Sequence, residues 1–239
     1  MRMFRMPVSD DKIQRAYRVR IIIFLIVVVL ITVFLGTAYQ LIQTLARLEV
    51  VEHDRDQWQR PSEILQELDL REGSVVADIG CGVGYFALKL SSRVGQSGEV
   101  LAVDIQREPL IFLWIRTWLR HQHNLHVIHG DDPGDPRLSQ QAIDAVLIVN
   151  TYHEFDQPKR MLDSIIRSLR SHGRLVIADR GPRSKDDNDR ELERGHHELS
   201  PNLVESDLRQ SGFQLVKRQD RFIDRPEDRA WWLIVARKP

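Results

Sequence analysis

The chain lacks the features that are typical of disulfide-rich, nucleic-acid-binding and metal-binding proteins. Its 239 residues include a single cysteine, Cys81, so an internal disulfide cannot form. Acidic and basic residues both number 34, and the formal net charge is +0. This balance leaves no overall positive field, and we expect no nucleic-acid partner. We find no internal repeat. The adjacent His196 and His197 lack a spaced partner, so we predict no metal site.

A long apolar run lies near the N-terminus. Ile21–Ala38 carries no charge, and with its extension to Leu45 it is long enough to cross a bilayer as a helix. A buried core helix and a cleaved signal peptide are the alternatives, but the run has no polar face and a long charged stretch precedes it. We predict a basic tail over 1–20, a transmembrane helix over 21–45, a charged connector over 46–60 and a domain over 61–239.

A glycine-rich loop is the most informative motif. The segment Val75–Phe86 reads VVADIGCGVGYF, an apolar strand followed by three glycines at alternate positions and the start of a helix. Gly80, Gly82 and Gly84 lack a Cβ, so the backbone can turn tightly and a ligand can approach it closely. The helix that follows points its N-terminus at such a ligand.

A second predicted strand, Glu99–Asp104, ends in a carboxylate. Asp104 lies about 20 residues beyond the last glycine, the spacing of an acid that hydrogen-bonds ribose hydroxyls. A nicotinamide dinucleotide and S-adenosylmethionine both fit these two features.

The spacing of the acidic residue and the glycines in the loop distinguishes the two cofactors. The pattern D-x-G-x-G-x-G, from Asp78 to Gly84, resembles motif I of class I S-adenosylmethionine-dependent methyltransferases. Dinucleotide enzymes more often carry G-x-G-x-x-G, which this loop does not contain. The resemblance covers about Trp58–Lys238 and is nearest to the small-molecule group that includes the ubiquinone/menaquinone-biosynthesis methyltransferases. It implies S-adenosylmethionine as the cofactor.

Predicted strands alternate with predicted helices, which implies a parallel sheet covered on both faces. The last two strands have no helix between them and should pair antiparallel. We therefore predict an α/β fold with a Rossmann-like, seven-stranded, mostly parallel sheet, a C-terminal antiparallel hairpin and one N-terminal transmembrane helix. The helix predicted over 108–121 carries six apolar residues that we expect in the core: Leu110, Ile111, Leu113, Trp114, Trp118 and Leu119.

Ligands of such sheets bind at the carboxyl ends of the strands. The resemblance assigns Asp104 to the ribose and Asp131 to the adenine amine, with Asp132 as the alternate. It also places Asn150 near the methionine part of the cofactor. The predicted cofactor site is completed by residues of the loop and of the second strand end: Asp78, Gly80, Cys81, Gly82, Gly84 and Ile105.

Two candidate catalytic residues, His153 and Glu154, follow the fourth predicted strand. Either could take a proton from a hydroxyl, an amine or an acidic carbon of the acceptor. A histidine in this place can equally serve packing alone, and methyl transfer can rely on positioning without a base. The sequence from Asn150 to Phe155 departs from the Asn-Pro-Pro-Tyr type motif, which disfavours DNA adenine methylation.

These features predict a membrane-anchored methyltransferase that acts on a small-molecule or lipid-like acceptor, of which a quinone is one type. A tethered enzyme meets membrane-dissolved substrates at high effective concentration. The alternatives are a non-enzymatic, membrane-tethered scaffold that retains the fold and a nicotinamide oxidoreductase. By the positive-inside rule, the excess of basic residues before the apolar run predicts a domain outside the cytoplasm, although the cofactor is made in the cytosol. We nevertheless expect a cytoplasmic domain, because the cofactor loop is intact and the rule is statistical. The alternatives are an apolar segment that lies in the membrane interface and a domain that has lost its cofactor. The oligomeric state stays open.

Overall fold

The computed structural model describes residues 10–132, 134–182, 198–225 and 230–239. The chain forms two compact units, Met1–Arg55 and Asp56–Pro239. His196, His197 and the first part of the predicted basic tail lie outside the described residues.

The first unit is built on a single long helix, α1, which spans Asp10–Trp58. Among the described residues it is the one helix long and apolar enough to cross a membrane, and its apolar window is fully exposed. The hydroxyl of Thr32 donates to the carbonyl of Val28, so this polar side chain is satisfied within the helix. The helix continues through the segment predicted as a connector, because residues 46–58 include no glycine or proline.

The second unit contains one seven-stranded sheet with the strand order β3-β2-β1-β4-β5-β7-β6. Neighbouring strands from β3 to β5 are parallel, and β7 is antiparallel to both β5 and β6. The predicted fold class is therefore confirmed. The strands are β1 Val75–Ile79, β2 Glu99–Asp104, β3 Leu125–His129, β4 Ile143–Val149, β5 Leu169–Arg180, β6 Gln214–Ile223 and β7 Trp231–Arg237.

Helices cover both faces of this sheet. They are α2 Pro61–Gln66, α3 Tyr85–Val94, α4 Arg107–Leu119, α5 Pro158–Ser168 and α6 Pro201–Gln210, with a 3₁₀ turn at Tyr152–Glu154. Side chains of α2, α3 and α4 pack in one apolar cluster, and side chains of α5 and α6 pack in a second cluster. The two clusters bury the alternate side chains of the strands, so Trp231 belongs to the first and its neighbour Trp232 to the second.

The expectation that all six apolar residues of α4 lie in the core was wrong for four of them. Leu110 and Leu113 are buried, as predicted. The four exposed residues are Ile111, Trp114, Trp118 and Leu119. A helix that lies on one face of a sheet buries a single stripe of side chains. Because α4 is apolar on several sides, its sequence does not reveal which stripe faces the sheet.

Trp232 should contribute far more to stability than the exposed Trp118. Trp232 is 0% exposed, and its indole Nε1 donates to the carbonyl of Leu199 at 2.7 Å. We expect Trp232→Ala to lower the free energy of unfolding by about 3–5 kcal/mol. The matched change Trp118→Ala should cost less than about 0.5 kcal/mol. Urea unfolding followed by far-UV circular dichroism measures both, and equal losses would contradict the assigned burial.

Candidate active site

A cleft opens at the carboxyl ends of β1, β2 and β4. In the strand order β1 lies between β2 and β4, so the chain winds away from it in both directions, the position at which ligands bind in such sheets. The cavity measures about 250 Å³. Its lining is Ile79, Gly80, Gly82, Val103, Asp104, Ile105, Gln106, Pro109, Gly130, Asp132, Asp135, Pro136, Asn150, Thr151, Glu154, Phe155, Asp156 and Met161.

The glycine-rich loop is held against the end of β2. The carbonyl of Val103 accepts hydrogen bonds from the amides of Gly80, at 2.8 Å, and Cys81, at 3.1 Å. Gly80 has a φ of +75°, and a Cβ on it would lie 2.2 Å from Cγ2 of Thr151. A side chain at this position is therefore excluded both by the backbone conformation and by the neighbouring threonine.

The other two glycines serve different purposes. A Cβ on Gly84 would lie 2.3 Å from Cδ1 of Leu113, so this glycine permits α3 and α4 to pack closely. A Cβ on Gly82 would meet nothing within 4 Å, and Gly82 lines the cleft. The space beside Gly82 is therefore available to a ligand that approaches the backbone.

Asp104 is fixed in the cleft by two backbone amides. Its Oδ2 accepts from the amide of Gly82 at 2.8 Å, and its Oδ1 accepts from the amide of Gln106 at 2.9 Å. Each carboxylate oxygen can accept further bonds, so the group can also receive the hydroxyls of a bound ligand. Ile105, the next predicted site residue, lines the cleft and is 60% exposed.

The structure brings Asp132 to the cleft and leaves Asp131 outside it. Asp132 accepts from the amide of Gly134 at 2.9 Å and from Arg160 at 2.6 Å. These two donors, first the amide and then the guanidinium, lower the pKa of the Asp132 carboxyl. The side chain of Asp131 is 67% exposed and pairs with Arg137 at 3.4 Å. The alternate residue named by the sequence therefore has the better position.

Asn150 contributes a buried acceptor to the cleft. It has a φ of 55°, its amide donates to the carbonyl of Ala178 at 2.8 Å, and the residue lines the cleft. Its side-chain Oδ1 is buried and has no hydrogen-bond partner among the residues that the structure describes. A buried acceptor is costly unless it is paired, so a ligand amine or hydroxyl at this place would be stabilised.

His153 and Glu154 differ sharply in their surroundings. Glu154 lines the cleft, and its side chain is 49% exposed. His153 is 2% exposed and is not part of the lining. Nδ1 of His153 lies 2.9 Å from Asp179, and Nε2 lies 3.7 Å from Oε1 of Glu154.

The charge of His153 follows from these carboxylates. Burial lowers the pKa of His153, but the hydrogen bonds to Asp179 and Glu154 outweigh it and raise this pKa to about 9. The imidazole is therefore a cation at neutral pH and cannot accept a further proton. The geometry favours Glu154 over His153 as the group that faces an acceptor.

Three predicted cofactor residues lie behind the cleft. Asp78 and Cys81 are buried, and neither they nor Gly84 belong to the lining. Burial, reinforced by the charges of Asp78 and Asp104, raises the pKa of the Cys81 thiol well above its usual range. The thiol is therefore unsuited to act as a nucleophile.

Sequence reasoning missed several lining residues. Thr151, Phe155 and Asp156 lie in the loop after β4 that also contains the predicted residues Asn150 and Glu154. Assigning this whole loop to the site would have included them. Asp135, on the loop after β3, and Met161, on α5, reach the cleft only through tertiary packing. No local pattern marks such positions.

Comparison with known proteins gives the same fold. Residues 77–177 match a family described as "Methyltransferase domain". A solved S-adenosylmethionine-dependent methyltransferase from Aquifex aeolicus superposes with a TM-score of 0.63 at 23% identity, covering 75% of this chain and 89% of that one. The domain has the class I methyltransferase fold.

Sequence relatives of this methyltransferase-fold domain match over shorter spans. A demethylmenaquinone methyltransferase of Staphylococcus saprophyticus is 32% identical over 68 residues, which is 28% of each chain. A protein-L-isoaspartate O-methyltransferase of Methanothrix thermoacetophila is 34% identical over 112 residues, which is 46% of this chain and 49% of that one. The match therefore spans less than half the length of either relative.

The buried imidazolium makes stability depend on pH. Because the pKa of His153 is higher in the folded domain than the ordinary 6.5, its contribution is fully present below pH 6.5 and is lost as the pH rises through about 9. Melting temperatures of the wild type should fall across this window. In His153→Gln the fall should be absent, and at pH 6.5 this variant should be about 3–5 kcal/mol less stable, because Asp179 loses its buried partner.

The control for this profile is His121→Gln, a substitution of an exposed histidine that should leave the wild-type curve unchanged. An identical loss of stability with pH in His153→Gln would contradict the assignment of the effect to this pair.

Proposed function

We propose that the domain binds S-adenosylmethionine in the cleft and transfers its methyl group to a small-molecule or lipid-like acceptor. The observation that carries this proposal is the convergence of three features on one cavity at the centre of the sheet edge. These are the doubly held Asp104 carboxylate, the open backbone at Gly82 and the buried acceptor of Asn150.

The residues present fit this cofactor. Asp104 is suited to accept both ribose hydroxyls, since its orientation is fixed by two amides before any ligand binds. Oδ1 of Asn150 would accept a hydrogen bond from the amino group of the methionine part. Asp132 is the residue that would contact the adenine amine, because it lines the cleft and Asp131 does not.

The chemistry is a displacement that depends strongly on positioning. When bound, S-adenosylmethionine supplies an electrophilic methyl group. The chain holds the acceptor in line with it and excludes water, and such orientation can account for much of the rate. An acceptor that carries a hydroxyl, an amine or an acidic carbon also releases a proton. Glu154 borders the cleft with a half-exposed carboxylate, and we assign it the role of general base.

His153 has a positioning role in this scheme. As a cation between Asp179 and Glu154, it holds the 3₁₀ turn Tyr152–Glu154 in place. The backbone amide of His153 also donates to Asp179 at 3.1 Å, so the turn is attached to β5 by both backbone and side chain. Glu154 thereby keeps a defined place at the edge of the cleft.

Helix α1 of the first unit is the basis for the proposed class of methyl acceptor and for the proposed cellular location of the domain. Helix α1 can cross a bilayer by length and composition, so we propose a single-pass anchor within residues 21–45 and a catalytic domain on the cytoplasmic side. A tether of this kind favours acceptors that dissolve in the membrane. The similarity to a demethylmenaquinone methyltransferase supports a quinone-type acceptor.

Cofactor binding is tested by calorimetric titration of the full chain with S-adenosylhomocysteine. Asp104→Ala removes the acceptor for the ribose hydroxyls and should weaken binding about 10- to 100-fold. The matched control is Asp131→Ala, which removes an exposed carboxylate outside the cleft and should leave binding unchanged. Equal effects of the two variants would contradict the assigned site, and a folded wild type that does not bind would overturn the proposal.

Turnover is tested by transfer of a labelled methyl group to a lipid extract of membranes. Glu154→Gln keeps the size of the side chain and removes its basicity, so the rate should fall about 100-fold or more while binding of S-adenosylhomocysteine persists. An unchanged rate in this variant would show that positioning suffices without a base. Binding without transfer to any acceptor would favour the scaffold alternative.

A further inference from the structure

The outer side of α4 is an exposed apolar surface that the cofactor site does not use. It consists of the exposed Ile111, Trp114, Trp118 and Leu119 and the half-buried Ile115, hereafter the α4 apolar face. Ile111 is 58% exposed, Trp114 is 62% exposed and Trp118 is 70% exposed. At 100° per residue the five positions fall within an arc of about 140°, so they form one continuous stripe.

Two adjacent exposed tryptophans are costly in water and are unusual on a soluble surface. Packing does not require them, because α4 already buries Leu110 and Leu113 against the sheet. Tryptophan is instead enriched where proteins meet the headgroup level of a bilayer, since its ring is apolar and its N–H is polar. The composition of the α4 apolar face therefore fits a lipid surface.

The surroundings of the stripe also fit this occupant. The exposed Arg107 and Glu108 both lie about one turn before Ile111 on the same side of the helix, and the exposed Arg120 follows the helix, so basic residues next to the stripe outnumber acidic ones two to one. Basic side chains at the border of an apolar stripe favour anionic lipid headgroups. The stripe itself, from Ile111 to Leu119, contains no acidic residue.

The helix that carries the α4 apolar face begins at the edge of the cleft. Pro109, in the first turn of α4, lines the cavity, and so does the 60% exposed Ile105 that precedes the helix. An acceptor at a membrane surface that covers this face would thus lie on the side of the cavity that Ile105 and Pro109 border.

We propose that the α4 apolar face docks on the surface of a lipid bilayer and presents the cleft to a membrane-dissolved acceptor. This inference rests on the proposed anchor, because α1 keeps the domain within reach of a bilayer, and on the proposed lipid-like substrate class. A second copy of the chain or a protein partner could cover such a face as well, and the experiment separates these occupants.

The test uses the full chain labelled with 5-fluorotryptophan and placed in nanodiscs of phosphatidylcholine and phosphatidylglycerol. The chain has five tryptophans, and the single variants Trp114→Phe and Trp118→Phe assign the two fluorine signals of interest. A nitroxide on the lipid and a gadolinium chelate in the water are then added separately. The buried Trp231 and Trp232 are the internal controls and should respond to neither agent strongly.

We expect the lipid nitroxide to broaden the Trp114 and Trp118 signals several-fold more than the control signals. We also expect both signals to be protected from gadolinium. Broadening by gadolinium without any effect of the nitroxide would show that the face is in water and would overturn the proposal. Protection from both agents would show that protein covers the face, which would overturn it as well.

Two further readouts separate this proposal from those on which it depends. A chain that fails to enter the nanodisc overturns the anchor and the docking together, whereas an inserted chain with water-exposed tryptophans overturns the docking alone. The double variant Trp114→Ser/Trp118→Ser should bind S-adenosylhomocysteine as the wild type does, because neither residue lines the cleft. Tenfold weaker binding in that variant would assign the two tryptophans to the cofactor site and overturn their docking role.

Discussion

The arrangement of the site depends on two hydrogen bonds that the carbonyl of Val103 accepts. It accepts the amides of Gly80 and Cys81, so the loop after β1 and the end of β2 are fixed to each other. That connection places the amide of Gly82 within 2.8 Å of Asp104, which orients the carboxylate before a ligand arrives. The connection in turn requires glycine at position 80, since Thr151 from the loop after β4 occupies the space that a side chain would need. Backbone hydrogen bonds thereby join the ends of β1 and β2, and the side chain of Thr151 packs the loop after β4 against Gly80.

Local sequence patterns were sufficient for the strands and for the first part of the site. Short, mostly apolar segments predicted the strands β1, β2 and β4, because central strands of a parallel sheet are buried on both faces. The glycine spacing and the carboxylate at the end of β2 gave Gly80, Gly82 and Asp104, all of which line the cleft. These residues are close in sequence to the strand ends that position them, so the pattern and the geometry agree.

The sequence was insufficient wherever long-range packing decides the environment. Nothing in the pattern shows that His153 is paired with Asp179 of β5, 26 positions away, and that pairing turns a candidate base into a buried cation. The choice between Asp131 and Asp132 likewise depends on Arg160 of α5, which holds Asp132 at the cleft. The exposed side of α4 could not be recognised, because a helix that is apolar on several sides has no periodic signal for the face that packs. The extents proposed for the tail, the anchor and the connector stay predictions.

Helix α4 carries more apolar side chains than its packing against the sheet requires, and its two sides have different surroundings. The inner side is held to the domain by Leu110 and Leu113 and by Arg116, whose guanidinium donates to the carbonyl of Val83 at 2.6 Å in the glycine-rich loop. The outer side carries Trp114 and Trp118, which are 62% and 70% exposed. A helix that is fixed internally to the cofactor loop and apolar externally can transmit the position of a membrane surface to the cleft. The helix would then orient the domain, whereas a tether alone limits only its distance from the bilayer.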